Sequence, residues 1–423
     1  MTKKLYIHID ADAFFASVEQ CLHRELRRRP IVTGRDGSIG VALSYEAKAL
    51  GVQRAMPIHL VRKQFPTVQM VVSDYSMYKT YSDRMIRIIQ EHIPQIDRKS
   101  IDECSADISG LCETFEESEA LSSKIQIELK RKLLCTFSFG ISTSPLLAKM
   151  ASGMNKPHGI TSIDPEKDRE YYKKTISVVP GLGWKMSHRL FDLRIMTIGN
   201  FIEFYPRVRK QFSVVTDDIH NQLLGLTPLR YDQQGLQKSM NKARSFKVTQ
   251  HYSEVFGQLM INFEHLMRKL RSGDFTCKSI HVGVKNADGQ HQGESLLLPM
   301  HTRDTSLIME HMRILFESLF EEQRGCRYVS LTFSGLRPSG GIQEDFFHEH
   351  EVREGSEKLF EAVDMINQKF GETLVTFAST LSKPKGLGSH IDPKKNPITL
   401  RHTLLPYETE NRRVKYPYLG MVD

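Results

Sequence analysis

No stretch of this 423-residue chain approaches the run of about 18 apolar residues that a membrane-crossing helix needs. The opening segment, MTKKLYIHID, has two lysines but only a short apolar stretch, broken by His8 and Asp10. It reads as a first strand, not as a secretory leader. The six cysteines (Cys21, Cys104, Cys112, Cys135, Cys277 and Cys326) include no C-x-x-C pair. That argues against a structural zinc site and against a disulfide framework. No internal repeat is visible. Together these absences set the expectation of a soluble protein of a reducing cytoplasm, with no membrane partner.

What is present is ordinary globular material. Hydrophobic residues make up 40% and charged residues 26%, enough apolar mass for real cores. The length suggests two to four domains. A net charge of +8 favours a polyanionic partner. The charge is uneven: HRELRRRP and the stretch from LSKPKG to NRRVKYP are basic, whereas ETFEESEA is acidic. Residues 381–423, rich in Pro, Lys and Arg, are expected to form a flexible basic tail.

Hydrophobic periodicity organises the first part of the chain. LYIHI alternates as a strand ending at Asp10. In ADAFFASVEQCLHREL, Phe14, Val18 and Leu22 make a helical core stripe. Residues 31–75 mix short strands (IVTG, IGVALS) with a helix over YEAKALGV closed by Gly51. A helix from about Met77 to Ile93 stops at Pro94. QIDRKS and CSADIS read as two strands joined by the Ile101-Asp102-Glu103 turn. TFEESEALSSKIQIELKRKLL is a helix, acidic at its start and basic at its end, as the helix dipole prefers. CTFSFGIS is a strand, and SPLLAKMAS a helix with Ser144 as N-cap and Pro145 at its first position.

Setting residues 31–75 aside leaves strand, helix, strand, strand, helix, strand, the ferredoxin-like order. The acids of SIDEC, Asp102 and Glu103, are either a solvated turn or half of a metal site. In a ferredoxin-like sheet the first strand lies beside the central hairpin, so Asp10 can supply the other half.

Downstream, VVPGLGWKMSHRLFDLRIMTIGNF sets P-G-x-G between two helical patterns, as in a helix-hairpin-helix. The glycines permit a turn whose N–H groups can face a phosphate. A polar linker is expected near 227–240. Helices over 253–271 and 304–322 then interleave with the strands KSIHVGVK, ESLLLPM and RYVSLTFSGL, and a last helix covers SEKLFEAVDMINQKFG. This reads as a second α+β layer structure.

Six motifs in order resemble the Y-family translesion DNA polymerases, most closely the bacterial DNA polymerase IV group: HIDADAFFASVE, SYEAKALGVQRAMP, KSIDECSADISG, GISTSPLLAKMASGMNKPHGI, VPGLGWKMSHRL and KSMNKARSF. The resemblance implies an α+β multidomain chain. A ferredoxin-like palm would cover 1–30 and 76–165, with a fingers insertion at 31–75. A helical helix-hairpin-helix thumb would cover 166–235, and an α+β little finger 238–380. It implies a template-directed, low-fidelity polymerase that copies damaged bases without a proofreading exonuclease. Its cofactor would be two Mg2+ ions, with Mn2+ able to substitute. Its partners would be primer-template DNA, dNTPs and a sliding clamp, and it would act as a monomer.

By the same resemblance Asp10, Asp102 and Glu103 are the catalytic acids and metal ligands, joined by the backbone carbonyl of Ala11. Magnesium prefers hard oxygen ligands, so acids from separate strands must converge. Phe15, about 100° round the helix from core residue Phe14, matches the steric gate against ribose 2′-hydroxyls. Phe14, Phe15, Tyr45, Lys48 and Lys156 would border the nucleotide. Lys48 replaces the family's usual arginine, losing the bidentate fork, and Ser105 stands in a run where relatives carry an aromatic. Asp12 is expected as a helix N-cap and Asp107 as structural. Gly181, Gly183, Lys185, Lys238, Lys242 and Arg244 would contact DNA. Gln343, Phe346 and Phe347, in IQEDFF, resemble a clamp-docking peptide. A nucleotide cyclase could share palm and metal chemistry but has no use for a duplex-binding hairpin. A catalytically weak or inactive DNA-binding, clamp-recruited relative is the other alternative.

Overall fold

The alternation in LYIHI becomes β1 (Tyr6–Ala11), with Ile7 and Ile9 turned to one face of a sheet and His8 and Asp10 to the other. The computed structural model describes residues 4–34, 38–226, 237–339, 350–370, 374–381, 414–416 and 420–422. It divides into two units, Met1–Asp232 with Leu400–Asp423, and Gln233–Thr399.

In the first unit, α1 (Phe14–Leu22) follows β1 through Ala13, which takes a left-handed φ of 48°. Next come β2 (Ile31–Thr33), β3 (Ala42–Leu43), α2 (Tyr45–Ala49), α3 (Ile58–Gln64) and β4 (Gln69–Val71). They form their own sheet, β3-β2-β4, with β4 parallel to β2. Gly51 ends the α2 region at φ 94°, a conformation that favours glycine.

The chain then returns through α4 (Tyr75–Gln90), β5 (Asp97–Arg98), β6 (Glu103–Asp107), α5 (Phe115–Leu133), β7 (Phe137–Ser142), α6 (Pro145–Met154) and β8 (Ile160–Ile163). The sheet order is β5-β6-β1-β7-β8, with β1 central and antiparallel to both neighbours. Apart from the added β8, this is the strand order expected once residues 31–75 are set aside.

Both faces of this sheet are covered, and β7 shows why. Phe137, Phe139 and Ile141 join Ile7, Ile9, Tyr78, Met85, Ile125 and Leu129 in one core. Each such side chain, fully buried, is worth roughly 1.5–3 kcal/mol. The alternate residues, Ser138, Gly140 and Ser142, face the other way. A Cβ on Gly140 would lie 2.0 Å from the carbonyl oxygen of Ala148 and 2.3 Å from the amide of Ser152. The glycine therefore lets α6 lie directly on the strand, on the face that carries His8 and Asp10.

Two 3-10 turns (Glu170–Lys173 and Ile176–Val178) precede α7 (Trp184–Asp192), α8 (Ile198–Val208) and α9 (Val214–Leu223). Tyr171, Leu190, Phe201, Tyr205 and Leu223 pack with Leu147 and Met150 of α6. The run before PGLG is thus a single 3-10 turn rather than a helix. Pro180 disfavours helical backbone at Val179, and the β-branched stretch is too short to compensate.

In the second unit, β9 (Ser239–Thr249), α10 (Tyr252–Ser272), β10 (Phe275–Asn286), β11 (His291–Thr302), α11 (Thr305–Leu319), β12 (Cys326–Ser334) and β13 (Arg337–Pro338) lead to α12 (His350–Phe370). The sheet order is β11-β10-β12-β9, and β13 pairs with β10. Phe263, Leu266, Met312 and Phe316 pack on Ile280, Val282, Val329, Leu331 and Phe333. Part of the stretch expected as a linker is therefore the start of an 11-residue edge strand. Two short strands, β14 (Val414–Tyr416) and β15 (Gly420–Val422), pair with each other. The α+β class is met. Among the described residues no helix is long and apolar enough to cross a membrane.

Candidate active site

The register of β1 and β6 sets Asp10 directly opposite Glu103. The ladder continues one step further, where the Ala11 amide donates to the Asp102 carbonyl at 2.9 Å. Glu103 is therefore the first residue of a strand, and Asp102 alone stays in the turn. Ligand atoms of His8, Asp10 and Glu103 all lie within 4.8 Å of one another. His8 was not anticipated. Its signal was its place two residues before Asp10 on a strand, which puts both side chains on one face.

Lysines meet this acidic group. The Lys156 ammonium donates to Asp10. Lys149, on α6, donates to both carboxylate oxygens of Glu103 at 2.9 Å each, and His8 Nε2 lies 3.3 Å from Glu103 Oε2. Burial raises the Glu103 pKa, but the His8 and Lys149 contacts outweigh it and hold the carboxyl down at about 2. Asp102 moves the other way. Burial pushes its carboxyl up, the charges of Asp10 and Glu103 add to this, and the Ser100 hydroxyl offsets only part. A cluster of acids with one member still costly to ionise suits a cation. The oxygen donors suit a hard divalent ion.

Asp12 departs from expectation. The cap residue of α1 is Ala13, with no side-chain cap bond. Asp12 is fully buried. It accepts from the Ser138 hydroxyl and from the His158 amide, each at 2.8 Å, and so ties β1 to β7 and to the NKPHG loop. Beside it, burial and then the Asp12 and Asp10 charges keep the Tyr45 phenol protonated. The Lys48 ammonium sits 4.3 Å from the centre of the Tyr45 ring. Burial, then the charge of Lys156, lowers the Lys48 pKa, while Asp12 acts in the opposite sense. Asp10, Lys149, Lys156, Lys174, Val178 and Pro180 help line a cleft of about 420 Å³. Lys149 and Lys174 were missed because nothing in their local sequence sets them apart from surface lysines.

Phe14 lies in the core, whereas Phe15 is half-buried. The Phe15 ring stacks on Tyr78 at 4.2 Å and 12° and meets Tyr75 edge-on at 5.7 Å. The Tyr78 hydroxyl donates to buried Glu19. Ser105 lies opposite His8 with its hydroxyl buried and, among the described residues, without a hydrogen-bond partner. Asp107 accepts from the Ser109 amide at 3.0 Å, a local turn contact.

Gly181 takes φ 89°, Gly183 is the cap residue of α7, and Lys185 is exposed. Lys238 is exposed as well. Lys242 and Arg244 pair with Leu331 and Val329, which puts them half-buried on the helix-covered face of the second sheet. Gln343, Phe346 and Phe347 lie outside the described residues.

The impB/mucB/samB family model matches residues 9–153, and the model of that family's C-terminal domain matches residues 237–346. The chain belongs to the impB/mucB/samB family. It is a Y-family DNA polymerase of the DNA polymerase IV group, and so a DNA-directed DNA polymerase. It is 28% identical over 388 residues to DNA polymerase IV of Desulfatibacillum aliphaticivorans, covering 90% of this chain and 98% of that one. DNA polymerase IV of Moorella thermoacetica is 29% identical over 383 residues, with 88% and 95% covered. A solved Y-family DNA polymerase chimera, Dbh-Dpo4(243-245)-Dbh, shares the fold of this family member with a TM-score of 0.68 at 21% identity. It covers 79% of this chain and 99% of that one.

Proposed function

We propose that this translesion polymerase extends a primer with dNTPs opposite damaged template bases, at low fidelity and without proofreading, through two divalent cations held by Asp10, Asp102 and Glu103. The observation that carries the reading is the meeting of Asp10 and Glu103 on one sheet face, with Asp102 in the adjoining turn and a lysine-lined cleft beside Asp10. The Ala11 carbonyl completes the ligand set. Bound there, Mg2+ supplies Lewis-acid stabilisation of the transferring phosphoryl group and lowers the proton affinity of the primer 3′-hydroxyl. Mn2+ can take its place.

The chain's own residues do the rest. Lys156 and Lys48 neutralise the triphosphate, and the Tyr45 phenol, still protonated, donates a hydrogen bond to it. Lys149 keeps Glu103 ionised. The Phe15 ring closes the space that a ribose 2′-hydroxyl would need. In this reading residues 1–30 and 76–165 are the palm, 31–75 the fingers, 166–235 the thumb and 238–380 the little finger. Gly181, Gly183 and Lys185 of the hairpin, with exposed Lys238, hold primer-template DNA through its backbone, without reading sequence, whereas Lys242 and Arg244 face the helices and have no part in it. Gln343, Phe346 and Phe347 dock a sliding clamp, and the enzyme works as a monomer. A small fingers domain leaves the site open and its check of geometry loose, which favours lesion tolerance over discrimination.

The test is primer extension on a template with one abasic site, with Mg2+ and with chelator. Extension past the lesion that chelator abolishes supports the reading. An enzyme that binds the duplex but extends neither damaged nor intact template contradicts it and favours the inactive alternative.

A further inference from the structure

Two of the six cysteines, 114 positions apart, meet in the fold: Cys21 Sγ and Cys135 Sγ are 3.3 Å apart. Cys21 lies in the last turn of α1, and Cys135 lies two residues before β7. A disulfide needs about 2.05 Å between sulfurs, so only a small approach separates the present pair from a bridge. The two thiols differ in setting. Cys21 is half-buried, and the Arg27 guanidinium sits beside it, donating to its carbonyl at 3.4 Å. Cys135 is buried at 2% exposure. The hydrogen bond with Cys135 lowers the Cys21 pKa, with a smaller contribution from Arg27, while the same bond and burial raise that of Cys135. A half-buried thiol in sulfur contact with a fully shielded one is the arrangement of an attacking and a resolving cysteine.

We propose that Cys21 and Cys135 form a reversible dithiol–disulfide site, oxidised by hydrogen peroxide, that controls nucleotide incorporation through the position of the end of α1 against the segment leading into β7. The Cys21 thiolate attacks one peroxide oxygen. An S–O bond forms, the O–O bond breaks, and the departing hydroxide takes a proton to become water. Cys135, giving up its proton, then attacks the Cys21 sulfur. The S–S bond forms, the S–O bond breaks, and a second water leaves. Two thiols lose two electrons, and the peroxide is reduced to water. A thiol reductant reverses the step by exchange.

The bridge bears on function because of what it joins. Phe15 stands six residues before Cys21 on the same helix. The carbonyl of Thr136, next to Cys135, accepts the Asp12 amide at 2.9 Å. Drawing the sulfurs together therefore shifts the end of α1 against the strand that anchors Asp12.

The experiment treats the full chain with hydrogen peroxide, then blocks free thiols and maps peptides by mass. The expected result is a Cys21–Cys135 linked peptide that dithiothreitol removes and that neither Cys21→Ser nor Cys135→Ser yields. A second arm measures single-nucleotide incorporation and so rests on the polymerase reading. It should fall at least threefold on oxidation, recover with dithiothreitol, and stay constant in both serine variants. The mass arm stands whatever the activity, so failure of the polymerase reading shows as absent incorporation in the reduced protein. Over-oxidised or unreacted thiols without a link overturn the proposal. So does a link that leaves incorporation unchanged.

Discussion

Asp10 and Glu103 face each other across neighbouring strands, and each carboxylate holds its own lysine, Lys156 on Asp10 and Lys149 on Glu103. The Lys149 pair has a measurable signature. The Glu103 pKa is depressed in the fold, so the ionised form stabilises the folded state above the unfolded value near 4.5, and that stability is lost as pH falls towards 2. Lys149→Met removes two charge-assisted bonds. In chelator it should cost roughly 1 kcal/mol at pH 7, after allowance for solvent screening. Urea melts should show the cost shrinking below pH 4.5. A cost that does not change with pH contradicts the assignment.

Phe15 stacks on Tyr78 and stays half-buried. Phe15→Ala should raise incorporation of rNTPs relative to dNTPs about a hundredfold, near 3 kcal/mol of lost discrimination. The measurement is single-turnover incorporation of matched pairs. An unchanged ratio places the gate elsewhere.

Glu19 lies beneath that stack, its pKa raised to about 7 by burial and only partly lowered again by Tyr78. For an acid with a raised pKa, the folded state binds more protons than the unfolded one between the two values. Stability therefore falls as pH rises from about 4.5 to about 7 and is level above. His23, 3.7 Å away, shares the site. Glu19→Gln keeps the acceptor for Tyr78 and removes the charge. Its stability relative to wild type should improve by on the order of 3 kcal/mol between pH 4.5 and pH 8. Parallel curves rule this out.

Two glycines separate the constraint on β7 from that on α6. Gly140→Ala forces a Cβ into the α6 backbone and should destabilise by about 3 kcal/mol or more. A Cβ at Gly153 meets nothing within 4 Å. Gly153→Ala should stabilise by roughly 0.5–1 kcal/mol through helix propensity. Denaturant melts of both variants check the pair.

The strand order, and with it the placing of Asp10 opposite Glu103, is legible because alternation and helical stripes name the layers. What was not legible depends on side-chain direction across the chain. Asp12 carries the sequence pattern of a helix cap, yet the positive φ of Ala13 starts α1 one residue later and frees Asp12 to bond Ser138 and His158. Lys149 reaches Glu103 because Gly140 lets α6 lie on β7, a contact between separate segments that local sequence does not mark. The first residues of β9 read as linker because they continue a polar stretch. The strand is held by pairing with β12, a tertiary cause. Lys242 and Arg244 take their half-buried placement from that same pairing.

The most direct test of the central claim compares primer extension by wild type with that by Asp102→Asn/Glu103→Gln in Mg2+, with primer-template binding measured on the same preparations. The account predicts that extension falls at least about a thousandfold, roughly 4 kcal/mol of transition-state stabilisation, while DNA binding stays within about threefold of wild type. Extension within about tenfold of wild type by a variant that binds DNA normally contradicts it.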